Sequence, residues 1–79
     1  MVFQALNKLV WQKKIRDAEV VIVHRGAPDD RKTIQGKDIT HVGKHYFYYI
    51  SGKHEVCIPL HRILEVKWKG ETVWERKRR

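Results

Sequence analysis

The sequence predicts an α+β domain: an N-terminal helix packed on a curled, mostly antiparallel sheet of about six short strands, barrel-like in outline. Three observations carry this. Apolar residues recur at helical spacing only at the start of the chain. From Glu19 onward the texture turns β-branched and aromatic, in short runs. Turn residues break those runs at close intervals. A chain of 79 residues holds one small domain with a core that is barely sufficient. Short strands leave open edges, and a curled sheet under a helix hides them.

The helix comes first. Val2, Phe3, Leu6, Leu9 and Val10 form its apolar stripe, and Gln4, Asn7 and Lys8 its polar face. No Ser, Thr, Asp or Asn precedes Val2 as a cap. Trp11, just past the helix, is expected to seal it against the sheet. Lys13, Lys14 and Arg16 make a polar connection. Val20-Val21-Ile22-Val23 is a continuous β-branched run, which predicts a central strand covered on both faces.

Gly26-Ala27-Pro28-Asp29-Asp30 is a loop: Gly permits positive φ, Pro fixes φ, and Asp bonds its own backbone. Arg31 to Gln35 reads as a short strand that Gly36-Lys37-Asp38 ends. Ile39 to Val42 fits either a turn of helix or a short extended piece. His45 to Ile50 is an aromatic strand, Ser51-Gly52 a tight turn, and Val56-Cys57-Ile58 the partner strand of a hairpin. Pro59 ends that ladder because it has no donor. Leu64, Val66 and Trp68 alternate with Glu65 and Lys67, a strand with one buried face. Lys69-Gly70 turns the chain, and Thr72 to Arg76 returns antiparallel, setting Trp68 and Trp74 face to face. Residues 1–75 form the single domain, and 76–79 (Arg76-Lys77-Arg78-Arg79) a basic C-terminal tail.

Charge narrows the partners. The net charge is +8, and without the tail thirteen basic side chains still face nine acidic ones. A basic body raises affinity and on-rate for polyanions without specifying which. The single Cys57 excludes an intrachain disulfide and fits a reducing compartment. No segment approaches the roughly 20 apolar residues of a membrane span, and the N-terminus lacks a signal-peptide core. The expected location is cytoplasmic, with no membrane contact.

The chemistry-bearing feature is a His-Arg dipeptide that occurs twice, each time beside an apolar run. His24-Arg25-Gly26 closes Val20–Val23, and His61-Arg62 sits within Ile58-Pro59-Leu60-His61-Arg62-Ile63. A guanidinium offers a fixed fork of donors matched to phosphate oxygens, and an imidazole a proton-switchable donor. The pair suits a phosphate or an RNA end. Solvated strand ends are the bland alternative.

Other chemistries fit less well. His54-x-x-Cys57-x-x-x-His61 resembles metal spacing, but His54 and Cys57 lie at odd separation on one strand and point to opposite faces. No second cysteine completes a zinc set, so no metal or other cofactor is expected. Two-histidine phosphoesterases carry paired His-x-Thr or His-x-Ser motifs. Here the corresponding positions hold Gly26, Gly43, Phe47, Val56 and Ile63. The glycines stand singly at turns and make no phosphate loop, and Ser51 lies in a hairpin turn. The sequence thus favours binding over catalysis. The enzymatic alternative is a weak cyclic phosphodiesterase with His24 and His61 as acid and base.

The run Tyr46-Phe47-Tyr48-Tyr49 has two readings. Alternation sets Tyr46 and Tyr48 on one face and Phe47 and Tyr49 on the other. Exposed rings on a basic sheet stack unpaired bases, while a chain this small also needs rings in its core. Phe47 is assigned to the core, and the tyrosines fit either role.

Ile58-Pro59-Leu60-His61-Arg62-Ile63, then Lys69-Gly70-Glu71 and Val73-Trp74-Glu75-Arg76, resemble a family of small archaeal and bacterial proteins. Its members are similar to the domain named for recognition of RNA ends bearing a cyclic phosphate. The likeness extends through Leu6-Asn7-Lys8-Leu9-Val10-Trp11 and Val23-His24-Arg25-Gly26, nearly the whole chain. It implies RNA processing or repair, since the domain also occurs fused to phosphoesterase-like modules. Carried onto this chain, it implies His24, Arg25, His61 and Arg62 as contact residues. The expected function is an RNA-binding module for phosphorylated or 2′,3′-cyclic-phosphate RNA ends, with Tyr46 or Tyr48 stacking a terminal base. Its expected partners are RNA and an RNA-processing or repair enzyme. A protein-interaction adaptor of such an enzyme is the remaining alternative.

Overall fold

The computed structural model describes residues 2–26 and 28–76, with the backbone alone at residue 28. Ala27 of the expected loop and Lys77, Arg78 and Arg79 of the expected tail lie outside the described residues.

Helix α1 spans Val2–Trp11 and buries Val2, Leu6 and Leu9. It ends in a Schellman arrangement: the Lys14 N–H donates to the Leu9 carbonyl at 2.8 Å and the Lys13 N–H to Val10 at 3.1 Å. Lys13 takes the left-handed position, φ 57°, that glycine usually fills. Trp11 does not seal the helix. It is 79% exposed, because two residues past Leu9 a helix has turned about 200° away from the buried stripe.

Seven strands follow: β1 Ala18–Val23, β2 Arg31–Gln35, β3 Ile39–Val42, β4 Tyr46–Ser51, β5 His54–Pro59, β6 Ile63–Trp68 and β7 Glu71–Glu75. They form two antiparallel sheets, ordered β2-β1-β6-β7 and β3-β4-β5. The α+β class and the helix on antiparallel strands are as the sequence predicts. The single curled sheet of about six strands becomes two open sheets of seven strands. The reason is local: Ile39–Val42 settles as a strand paired with β4 rather than as helix.

The core joins all three layers. Leu6 comes from α1, Val20, Ile22, Ile63 and Val66 from the first sheet, and Phe47 and Tyr49 from the second. Phe47 is fully buried, as expected. β1 lies between β2 and β6, and Val21 is buried on the face opposite Val20 and Ile22, so the central-strand reading holds.

Two β-bulges alter the predicted alternation. Val21 pairs Glu65 but Ile22 pairs Ile63, so Leu64 is an extra residue. Ile63 and Val66 are therefore the buried residues of β6, and Leu64 is only half-buried. In the β6–β7 pair, Val66 opposes Trp74 while Lys67 opposes Thr72, which makes Val73 extra. Trp74 thus faces Val66 and Trp68 faces Glu71; the two indoles do not meet across the turn. The turn itself sets Lys69 and Gly70 at φ 50° and 87°, both positive as a type I′ hairpin requires. The β4–β5 turn is Gly52-Lys53, one residue later than Ser51-Gly52, since Ser51 still pairs His54.

Arg76 is tied to the body: its N–H donates to the Leu64 carbonyl at 2.9 Å and its Nε to Ile63 at 3.0 Å. No helix among the described residues is long and apolar enough to cross a membrane.

Candidate anion-binding site

Strand register brings the two His-Arg segments together. Ile22↔Ile63 is the last pair of the β1–β6 ladder. Beyond it β1 runs on to His24 and β6 runs back to His61, each two residues away. In an antiparallel pair, residues equally far past the last rung emerge opposite each other at the same end. His24, Arg25, His61 and Arg62, with Val23, line one open cleft of about 510 Å³.

Backbone bonds hold both segments. The His24 N–H donates to the Asp30 carbonyl at 2.7 Å, closing the loop after β1. The Gly26 N–H reaches Asp30 Oδ1 at 3.4 Å, with Gly26 at φ 92°. On the other side, the 3-10 turn Leu60–Arg62 buries Leu60, whose N–H donates to the His45 carbonyl at 2.9 Å. That anchor leaves His61 and Arg62 exposed.

All four side chains are exposed. Among the described residues the one ion pair is Lys67–Glu65 at 3.5 Å, so neither Arg25 nor Arg62 is neutralised by a neighbour. No side chain of the four makes a hydrogen bond with another described residue. Among the described residues no Asp or Glu side chain lines the cleft, although the sequence has nine. The arrangement presents two fixed positive charges and two imidazoles to an incoming anion.

A second groove of about 640 Å³ adjoins the first, and His61 lines both. Tyr46 belongs to this groove. Tyr48 lies outside both: it sits opposite Cys57 on β5, with its ring 5.7 Å from His41. A hydrogen bond with the Cys57 thiol, and then the charge interaction with that thiol, raise the Tyr48 pKa above the ordinary value. The structure thus sets His24, Arg25, His61 and Arg62 in one cleft and Tyr46 in the groove that shares His61, and separates Tyr48 from them.

Sequence reasoning missed Lys44, His45, Trp74 and Arg76, which also line the second groove. A signal existed for the last two. Trp74 and Arg76 are two apart on an extended segment, so an aromatic and a cation share one face. Among the described residues no group of three His, Cys, Asp or Glu side chains is placed to hold a metal ion.

Fold and clefts together define a small, basic α+β domain with an exposed face of histidine and arginine side chains. Residues 2–76 match the family model described as the MJ1316 RNA cyclic group end recognition domain, and the chain belongs to that family. It is 40% identical over 81 residues to UPF0248 protein MJ1316 of Methanocaldococcus jannaschii, covering 98% of this chain and 95% of that one. A UPF0248 protein of Thermococcus gammatolerans is 42% identical over 65 residues, covering 81% and 72%. One of Archaeoglobus fulgidus is 31% identical over 71 residues, covering 90% and 99%. No solved structure matches the chain significantly.

Proposed function

We propose that this protein binds RNA ends carrying a terminal phosphate or 2′,3′-cyclic phosphate, held in the cleft between His24-Arg25 and His61-Arg62. The observation that carries the reading is that both His-Arg segments line one cleft, with no carboxylate side chain among its described lining residues. Arg25 and Arg62 supply paired donors to non-bridging phosphate oxygens. His24 and His61 donate further hydrogen bonds, with added attraction when protonated. The family's name, RNA cyclic group end recognition domain, supports RNA as the source of that phosphate.

The test is binding to one short single-stranded RNA prepared with 3′-hydroxyl, 3′-phosphate or 2′,3′-cyclic-phosphate ends, at two salt concentrations. The expected result is a preference for a phosphorylated end that survives at high salt, because salt weakens the general backbone attraction equally for all three. Equal, salt-sensitive binding to all three would overturn the proposal. Because His24 and His61 share the cleft, the cyclic end is also checked for hydrolysis. An intact end is expected of a binding module, and turnover with a bell-shaped pH profile would assign a phosphodiesterase instead.

A further inference from the structure

We propose that the second groove is a nucleoside subsite, accepting the unpaired nucleoside that carries the terminal phosphate and stacking its base on Tyr46. The proposal rests on the terminal-phosphate reading and adds to it a requirement for a single-stranded end.

The groove has the composition such a subsite needs. Its walls come from the start of α1 (Val2, Phe3), the start of β4 (Tyr46), the end of β5 (Pro59), Trp74 of β7 and Arg76 just past that strand. Tyr46 is 48% exposed, while Phe47 and Tyr49 on the other face of β4 are buried, so its ring is open to a ligand. Its volume, about 640 Å³, lies within the roughly 300–1,000 Å³ of small-ligand sites.

The rim is cationic. Lys44, His45, His61 and Arg76 line the groove, and among the described residues no Asp or Glu side chain does. The Arg76 guanidinium carbon lies 5.6 Å from the centre of the Trp74 ring, and Nε donates to the Ile63 carbonyl at 3.0 Å. The guanidinium is therefore fixed in place, with its terminal nitrogens left as donors. Aromatic rings interleaved with a positively charged track are the means by which proteins hold single-stranded nucleic acid. An apolar protein segment would leave those four cationic or protonatable groups unmatched. A nucleotide matches both features at once.

Continuity supplies the geometry. His61 lines both hollows, so a phosphate held by Arg25 and Arg62 borders the groove directly. The sugar and base attached to that phosphate then have the groove as their neighbouring cavity. A base that stays paired and stacked in a blunt duplex cannot reach Tyr46, whereas a single-stranded end presents its base freely.

The experiment compares wild type, Tyr46→Ala and Tyr46→Phe on two probes with identical 2′,3′-cyclic-phosphate ends, one single-stranded and one a blunt RNA hairpin. Wild type is expected to favour the single-stranded probe. Tyr46→Ala is expected to lose about 5- to 150-fold on that probe and much less on the hairpin, and Tyr46→Phe to restore most of the loss. Equal wild-type affinity for the two probes, or wild-type affinity in a folded Tyr46→Ala variant, would overturn the subsite. A 3′-hydroxyl single strand separates this from the underlying reading. A wild type that ignores the end chemistry, yet weakens on Tyr46→Ala, overturns the terminal-phosphate reading and leaves the stacking groove supported.

Discussion

Replacing Arg62 by alanine removes one of the two guanidinium groups of the first cleft without touching the core. Arg62 is exposed and makes no ion pair among the described residues. Its loss therefore exposes no buried partner, and the fold is expected to change by no more than about 0.5 kcal/mol. The binding cost is larger. A hydrogen bond to a charged group contributes about 1.5–3 kcal/mol, or about 10- to 150-fold in affinity for a phosphorylated end.

A guanidinium that served only as general positive charge would give a smaller, salt-dependent loss, close to one counterion on the salt slope. Arg16 supplies the comparison: it is exposed and lines neither cleft. Fluorescence anisotropy with a labelled single-stranded RNA, for both variants and at two salt concentrations, distinguishes the cases. Arg62→Ala should erase the preference for the phosphorylated end, and Arg16→Ala should keep it. Equal losses for the two variants would refute the cleft as a specific site and leave net charge as the whole explanation.

Two further variants test the frame and its surroundings. Gly36 is buried, and a Cβ there would collide with the backbone carbonyl oxygen of Ile15. Because backbone cannot swing aside, Gly36→Ala is expected to cost at least the 1–3 kcal/mol of ordinary overpacking, about 1 kcal/mol for each 4–8 °C of lowered Tm. A thermal melt that matches wild type would refute the close approach of the 15–17 and 36–38 turns. Cys57→Ala removes the hydrogen bond that raises the Tyr48 pKa, so phenolate absorbance should appear at lower pH, nearer the usual value of about 10. The sign is that of a raised acid. Its contribution to the fold is present below the ordinary value and is lost as pH rises through the folded-state value, and the variant should lack that dependence. An unmoved titration would separate Tyr48 from Cys57.

What the sequence reveals about this fold is what local patterns encode. The helical stripe of Val2, Leu6 and Leu9, the β-branched run ending in Val23 and the Lys69-Gly70 turn each depend on neighbours in the chain. All three are found in place. The bulges at Leu64 and Val73 depend on how a strand fits its partner, and no periodicity within β6 or β7 announces them. Their effect reaches the site. The extra residue at Leu64 sets Ile63 opposite Ile22, and that pair aligns His61 with His24. The His-Arg dipeptides are visible as residues, but their meeting follows from pairing strands about forty positions apart. The second groove is less legible still, since Lys44 and Tyr46 lie just before and at the start of β4 in one sheet, while Trp74 and Arg76 lie at and just past the end of the chain's last strand in the other. Trp11 shows the reverse error: an aromatic ring reads as core until the helix phase places it in solvent.

The most direct measurement is an NMR titration of the amide-assigned protein with a 2′,3′-cyclic mononucleotide. The amides of His24, Arg25, His61 and Arg62 are expected to shift together and fit one dissociation constant. Movement of only one segment, or small shifts spread over every exposed Lys and Arg, would contradict a single anion site built from both.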